Sequence, residues 1–107
     1  MTIRNLDKLF RPQSLAIIGA SARDGAIGHV LARNVLAGGF RGRVSFVNPK
    51  YNTVLNHPCV ADIGALDAAP DLAIIATPAA TVPGIVAELA QRGTRAAIVI
   101  SAGFGNA

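Results

Sequence analysis

Tryptophan is absent, cysteine occurs once, and aromatic residues make up only 5% of the 107-residue chain. The single thiol, Cys59, has no partner for an internal disulfide and no second thiol for a C-x-x-C pair. A disulfide-stapled secreted scaffold is therefore excluded, and a cytoplasmic protein is expected. Charge is scarce too: charged residues are 15% of the chain against 51% hydrophobic ones, a balance that a disordered chain does not have. Long apolar runs are also missing. The longest, at 15–18, 72–76 and 96–100, have the length of strands and fall far below the roughly 20 residues of a membrane-spanning helix. The opening Met1-Thr2-Ile3-Arg4-Asn5-Leu6-Asp7 has no apolar secretory core, so neither membrane nor export is indicated. Six acidic residues stand against ten Lys and Arg, a formal charge of +4. The basic positions are scattered, without a run and almost without interleaved aromatics, so nucleic acid is not indicated as a partner. A modest positive field of this kind suits a small polyanionic ligand, and it is equally an ordinary surface.

What is present centres on Leu15-Ala16-Ile17-Ile18-Gly19-Ala20-Ser21-Ala22-Arg23-Asp24-Gly25-Ala26-Ile27-Gly28. Four consecutive apolar residues without alternation predict a parallel strand covered on both faces. The small residues that follow predict a turn. Ile27, Val30, Leu31, Asn34 and Val35 then recur at three and four residues, which predicts a helix ending at Gly38-Gly39. A glycine at a strand end lets a ligand approach the backbone, and the first N–H groups of the helix face it with the positive end of their dipole. This loop is therefore the expected phosphate site. Its glycines stand at 19, 25 and 28, with Ser21 where the G-x-G-x-x-G fingerprint has its second glycine, so it is a relative of that motif and not a copy. The competing explanation is a turn that needs glycine only for packing. A valine in place of Gly25 is expected to crowd the loop and weaken binding while leaving the fold intact.

Along the rest of the chain, Leu6, Leu9 and Phe10 before Arg11-Pro12 predict a short lead-in helix. Further strands are expected at Arg43–Val47, Leu72–Ala76 and Ala96–Ile100. A second helix is expected from Thr81, as N-cap, to Arg92-Gly93, with Pro83 in its first turn. Residues 53–68 carry mixed signals and predict a short extra strand or turn and one small helix. Strands alternating with helices predict an α/β fold: a Rossmann-like, doubly wound parallel sheet in three α/β/α layers, with core strand order 2-1-3-4. Residues 1–107 are expected to form one domain, a piece of a longer multidomain protein, because a sheet ending at its fourth strand leaves an open edge. In such sheets the ligand lies outside the carboxyl ends of the strands where the strand order reverses. That brings together the loops 19–28, 48–51, 76–79 and 101–104.

One more absence bears on the ligand. Dinucleotide domains place Asp or Glu at the end of the second strand to accept from the ribose hydroxyls, and here that end reads Val47-Asn48-Pro49-Lys50. A lysine suits a ribose that carries a phosphate. Two common ligands fit: NADP, phosphorylated at the 2′ position, and coenzyme A, phosphorylated at the 3′ position. His29 and His57 read as structural or surface residues, Cys59 as a small apolar filler, and no catalytic or metal-ligating residue is predicted.

Five segments in order carry a resemblance: Phe10 to Ser21, Asn34 to Phe40, Val47-Asn48-Pro49, Asp71 to Ala79, and Ile98 to Phe104. Together they resemble the N-terminal CoA-binding domain of NDP-forming acyl-CoA synthetases, which is similar to the start of the succinyl-CoA synthetase alpha subunit and also opens multidomain protein lysine acetyltransferases. The resemblance implies that Gly19, Ala20, Ser21 and the loop holding Arg23, Gly25, Ile27 and Gly28 hold the CoA phosphates. It implies that Asn48, Pro49 and Lys50 form the adenosine end, with Lys50 on the 3′-phosphate. Ala76, Thr77, Pro78, Ser101, Ala102 and Gly103 would line the pantetheine path. It further implies ATP-grasp, ligase or acetyltransferase domains in the parent chain or a partner chain, and a domain that by itself binds CoA or acyl-CoA and does not catalyse. Two other classes stay open on the residues alone: an NADP-binding domain of an oxidoreductase, and a sensing or interaction module that kept the fold and lost the ligand.

Overall fold

The computed structural model describes residues 12–100. The predicted lead-in helix therefore lies outside the described residues. Strand β1 (Ser14–Ile18) leads into α1 (Ile27–Ala37) and β2 (Arg43–Val47), followed by the strands β3 (Thr53–Val54) and β4 (His57–Val60). Then come β5 (Leu72–Ile75), α2 (Val82–Arg92) and β6 (Ala96–Val99). The six strands form one sheet in the order β3-β4-β2-β1-β5-β6. All pairings are parallel except that of β3 with β4. The four predicted strands, β2, β1, β5 and β6, thus run in the expected order 2-1-3-4, and a hairpin widens the sheet beyond β2. That hairpin, with a 3-10 turn at Ile63–Ala65, is what the mixed signals of 53–68 become. It closes through Leu55 and Asn56, both left-handed with φ of 51° and 66°, the signature of a type I′ turn. Leucine is costly there, and its side chain offsets this by packing against the core around Phe46 and Val54.

Alternation along β1 divides the core in two. Leu15 and Ile17 face α1 with Phe46, Val54 and Ala32, while Ala16 and Ile18 face α2 with Val47, Ile75 and Leu89. Ile17, Phe46, Val54, Ile75 and Leu89 are fully buried, each contributing about 1.5–3 kcal/mol relative to exposure. The result is the three-layer α/β/α arrangement. The β6 edge is bare by comparison, with Ile98 46% and Val99 41% exposed.

The second helix departs from expectation at its start. A 3-10 turn over Ala79–Thr81 precedes it, so Thr81 already has helical φ and ψ and its hydroxyl caps nothing in α2. Its oxygen lies 2.6 Å from the Pro78 carbonyl, to which it donates, and 2.7 Å from the Thr77 hydroxyl. The end is as read: Gly93 at φ 99° closes the helix, and the Thr94 N–H reaches back to the Leu89 carbonyl at 3.0 Å.

At the same end Arg92 clamps the 3-10 turn of residues 63–65, its guanidinium donating to the Ile63 carbonyl and, at 3.0 Å, to the Leu66 carbonyl. Two charge-assisted bonds to half-buried carbonyls are lost in Arg92→Ala, with an expected loss of about 1.5 kcal/mol. In a domain of this size that lowers the melting temperature by about 6–12 °C, measurable by circular dichroism. A variant melting with the wild type would show that the clamp contributes nothing.

Candidate functional site

The carboxyl ends of β1, β2 and β5 are tied together by backbone. The Gly19 N–H donates to the Val47 carbonyl at 2.8 Å, and the Ala76 N–H donates to the Ile18 carbonyl at 2.8 Å. Above these ends, where strand order reverses at β1, opens a cleft of two adjoining lobes of about 470 and 490 Å³. Gly19, Asn48, Lys50, Ala76, Thr77 and Pro78 border both.

Ser21, Arg23 and Ile27 complete the first lobe with Ala26 and Tyr51, and Pro49 belongs to the second. The structure thus gathers ten of the predicted site residues around one cleft. Three others are placed differently. Ala20 is fully buried beneath the loop and Gly28 is buried against it; neither lines a lobe. Gly25 sits on the exposed tip of the loop, outside the lining of both lobes. Ser101, Ala102 and Gly103 lie outside the described residues.

The glycines have distinct duties. A Cβ on Gly28 would stand 1.9 Å from the Gly19 carbonyl oxygen, so α1 docks on the loop only because residue 28 has no side chain. Gly19 has φ 99°, and a Cβ there would stand 2.8 Å from the Ala76 carbonyl oxygen. A Cβ on Gly25 would meet nothing within 4 Å, so the expectation that a valine crowds the loop is corrected. What residue 25 needs is its φ of 85°, which costs a branched residue about 1–3 kcal/mol.

Several polar side chains, among them cleft-lining Asn48, Ser21 and Tyr51, also hold the loop together. The Asn48 amide donates to the Ala20 carbonyl at 2.8 Å, while its Oδ1 accepts the Lys50 N–H at 2.9 Å. Asn48 therefore bridges the ends of β1 and β2. The Ser21 hydroxyl accepts the Arg23 N–H at 3.0 Å and lies 3.3 Å from the Tyr51 hydroxyl. His29 Nδ1 is 3.0 Å from the Ser21 carbonyl oxygen, which only accepts, so this nitrogen carries the proton; Nε2 faces Asp24 at 3.9 Å. The reading of His29 as structural agrees with this geometry. Tyr51 borders the cleft within the loop 48–51 expected there, although no role was assigned to it.

No side chain caps α1 and no acid stands in its first turn, so the positive end of its dipole is open to an anion at the first lobe. Arg23 and Lys50 add two exposed cations, and no carboxylate lines that lobe. The second lobe has a different character, with Ile18, Val47, Ile63 and Ile85 in its walls and Asp62 and Glu88 at its border. These residues were missed; the helix that follows a strand-end loop borders the site in such sheets, a signal that pointed to Ile85 and Glu88. Burial pushes the Cys59 thiol up from its ordinary pKa, so it stays protonated at neutral pH and packs as an apolar residue. Among the described residues no group of three or more His, Cys, Asp or Glu is placed to hold a metal ion. Nor is any helix among them long and apolar enough to cross a membrane.

Comparison with known proteins bears on the family and the fold. The chain is 40% identical over 102 residues to an ADP-forming acetate–CoA ligase of Archaeoglobus fulgidus, covering 95% of this chain and 15% of the ligase. It is 39% identical over 104 residues to a trans-feruloyl-CoA synthase from an unknown prokaryotic organism, covering 97% of this chain and 15% of that one. It thus spans about 15% of the length of these curated relatives. Among solved structures, the dinucleotide-forming acetyl-coenzyme A synthetase 1 of Candidatus Korarchaeum cryptofilum superposes with a TM-score of 0.85 at 32% identity, over 94% of this chain and 22% of the synthetase. The family model described as a CoA-binding domain matches residues 13–106, nearly the whole length, and the chain belongs to that family.

Proposed function

We propose that this domain binds coenzyme A or acyl-CoA in the two-lobed cleft, as the CoA-binding domain of an NDP-forming acyl-CoA synthetase. By itself it binds and does not catalyse; the ligase chemistry belongs to ATP-grasp and ligase domains of the parent or a partner chain, in the cytoplasm. The observation that supports this best is Lys50 on the wall shared by the lobes, beside an uncapped helix N-terminus and a glycine turn. The diphosphate is held in the first lobe by backbone N–H groups of the loop and of α1, with Arg23 as a side-chain partner. Lys50 takes the 3′-phosphate, because an ammonium gains far more from a dianion than from a hydroxyl. Asn48, His29 and Tyr51 act through the loop, holding Ala20 and Ser21 in place.

Calorimetric titration with CoA, dephospho-CoA and NADPH in parallel tests the reading. CoA is expected to bind, dephospho-CoA to bind more weakly, and NADPH to give no heat. Preferential binding of NADPH would replace this reading with an oxidoreductase domain, and silence from all three would leave a fold without its ligand.

A further inference from the structure

The α1 side of the sheet is sealed over only part of its width. Along β5 the residues that face α2, Ala73 and Ile75, are fully buried, while Leu72 and Ile74, on the α1 side, are only half-buried. The register pairs Leu72 with Ala96 and Ile74 with Ile98, so the β6 residues on that same side are Ala96, half-buried, and Ile98, 46% exposed. Across β1 and β2 this side is closed, with Leu15, Ile17 and Phe46 buried beneath α1. An inner strand of a parallel sheet is covered on both faces. The open apolar strip of Leu72, Ile74, Ala96 and Ile98 therefore marks a place for a further layer.

We propose that residues 1–11 form an amphipathic helix that docks on this strip, with Leu9 and Phe10 toward Leu72 and with Leu6 toward Ile74 and Ile98. Their pattern, length and point of attachment fit it. At 100° per residue, Ile3, Leu6, Leu9 and Phe10 fall within one arc of about 120°, and Arg4, Asn5, Asp7, Lys8 and Arg11 fill the opposite side. A helix over residues 3–10 spans about 12 Å, against about 13 Å for four residues of strand. The chain also joins the sheet at the amino ends of the strands that need covering. The Gln13 N–H donates to Asp71 Oδ2 at 2.9 Å and the Asp71 N–H to Ser14 Oγ at 2.9 Å, while the Asp71 carbonyl accepts the Arg95 and Ala96 N–H groups, each at 3.2 Å. Pro12 disfavours helical backbone at Arg11, so a helix ends there and the chain turns into β1. Residues 101–107 fit the strip poorly: they follow β6 at its carboxyl end and hold one large apolar side chain, Phe104.

Disulfide trapping in the whole chain is the test. Leu6→Cys and Phe10→Cys are each combined with Ile98→Cys. The control combines Leu6→Cys with Val86→Cys, a comparably exposed position (39%) on α2, across the sheet. The native Cys59 is buried with its thiol pushed toward the protonated form, so it stays out of the reaction. Under mild oxidation at least one of the first two pairs is expected to close within the chain in most molecules, and the control to stay reduced. Melting supplies a second readout that needs no cysteine pair to fold. Leu6→Ser, on the apolar arc, is expected to melt about 4–8 °C below the wild type, and Lys8→Ser, on the polar side, to melt with it. Reduced thiols in both test pairs, or equal closure in the control, would overturn the docking, as would a Leu6→Ser protein that melts with the wild type. Disulfides that join two chains would overturn it as well, and would give the strip to a second copy.

Discussion

Gly28→Ala is expected to melt about 12–24 °C below the wild type, because its added methyl would make the closest approach of any at a glycine among the described residues. The added Cβ would lie 1.9 Å from the Gly19 carbonyl oxygen, 2.9 Å from the Gly19 carbonyl carbon and 3.2 Å from Ala20 Cα. All three are backbone atoms at the end of the central strand, and none can swing aside as a side chain would. The first turn of α1 must therefore lift by roughly an ångström, which opens the contact of Ala32 and Leu31 with the sheet. Overpacking of this kind costs about 3 kcal/mol, at the upper end of its usual range, and each kcal/mol moves the melting point of such a domain by about 4–8 °C. Gly25→Ala is the control, with nothing within 4 Å of its Cβ and only the φ of 85° to strain it. Thermal unfolding followed by circular dichroism separates the two. A Gly28→Ala protein that melts within a few degrees of wild type would mean that α1 is not seated against Gly19.

This pair shows which parts of the site the sequence carries. Glycines at a strand end and at the start of the next helix are read from spacing alone, and here Gly19 supplies the turn and Gly28 the close packing. The four parallel strands β1, β2, β5 and β6 were equally legible, because buried parallel strands need unbroken apolar runs such as Leu15 to Ile18 and Leu72 to Ile75. The hairpin was harder. Its two-residue strand is too short for periodicity, and its turn contains a leucine at positive φ, a residue that carries no turn signal. Thr81 misled because a threonine before a helix looks the same whether it caps the helix or, as here, bonds back to Pro78 across a 3-10 turn. Asn48 has a related ambiguity: a polar residue at a strand end reads as a ligand contact, and its amide is spent on the Ala20 carbonyl. The far border of the second lobe was harder to read for a different reason: Asp62 precedes the 3-10 turn while Ile85 and Glu88 belong to α2, and the folding of α2 and that turn onto one sheet face brings them to a common border.

Lys50→Ala is expected to weaken binding of CoA by about 10- to 150-fold and of dephospho-CoA by far less. Lys50 stands at the turn after β2, where the Asn48 side chain accepts its backbone N–H and the Tyr51 N–H closes the turn on the Asn48 carbonyl at 3.4 Å. The backbone is thus fixed independently of the ammonium, and removing the side chain leaves the turn intact. No carboxylate among the described residues lies within ion-pairing distance of Lys50, so the ammonium is not committed to a structural pair. A charge-assisted bond to a phosphate dianion contributes about 1.5–3 kcal/mol, and 1.4 kcal/mol is tenfold in affinity. Dephospho-CoA lacks that dianion and has nothing equivalent to lose. The informative quantity is accordingly the ratio of the two affinities. Wild-type protein is expected to favour CoA, and the variant to bind the two ligands nearly alike. A loss of the same size for both would move the 3′-phosphate away from Lys50.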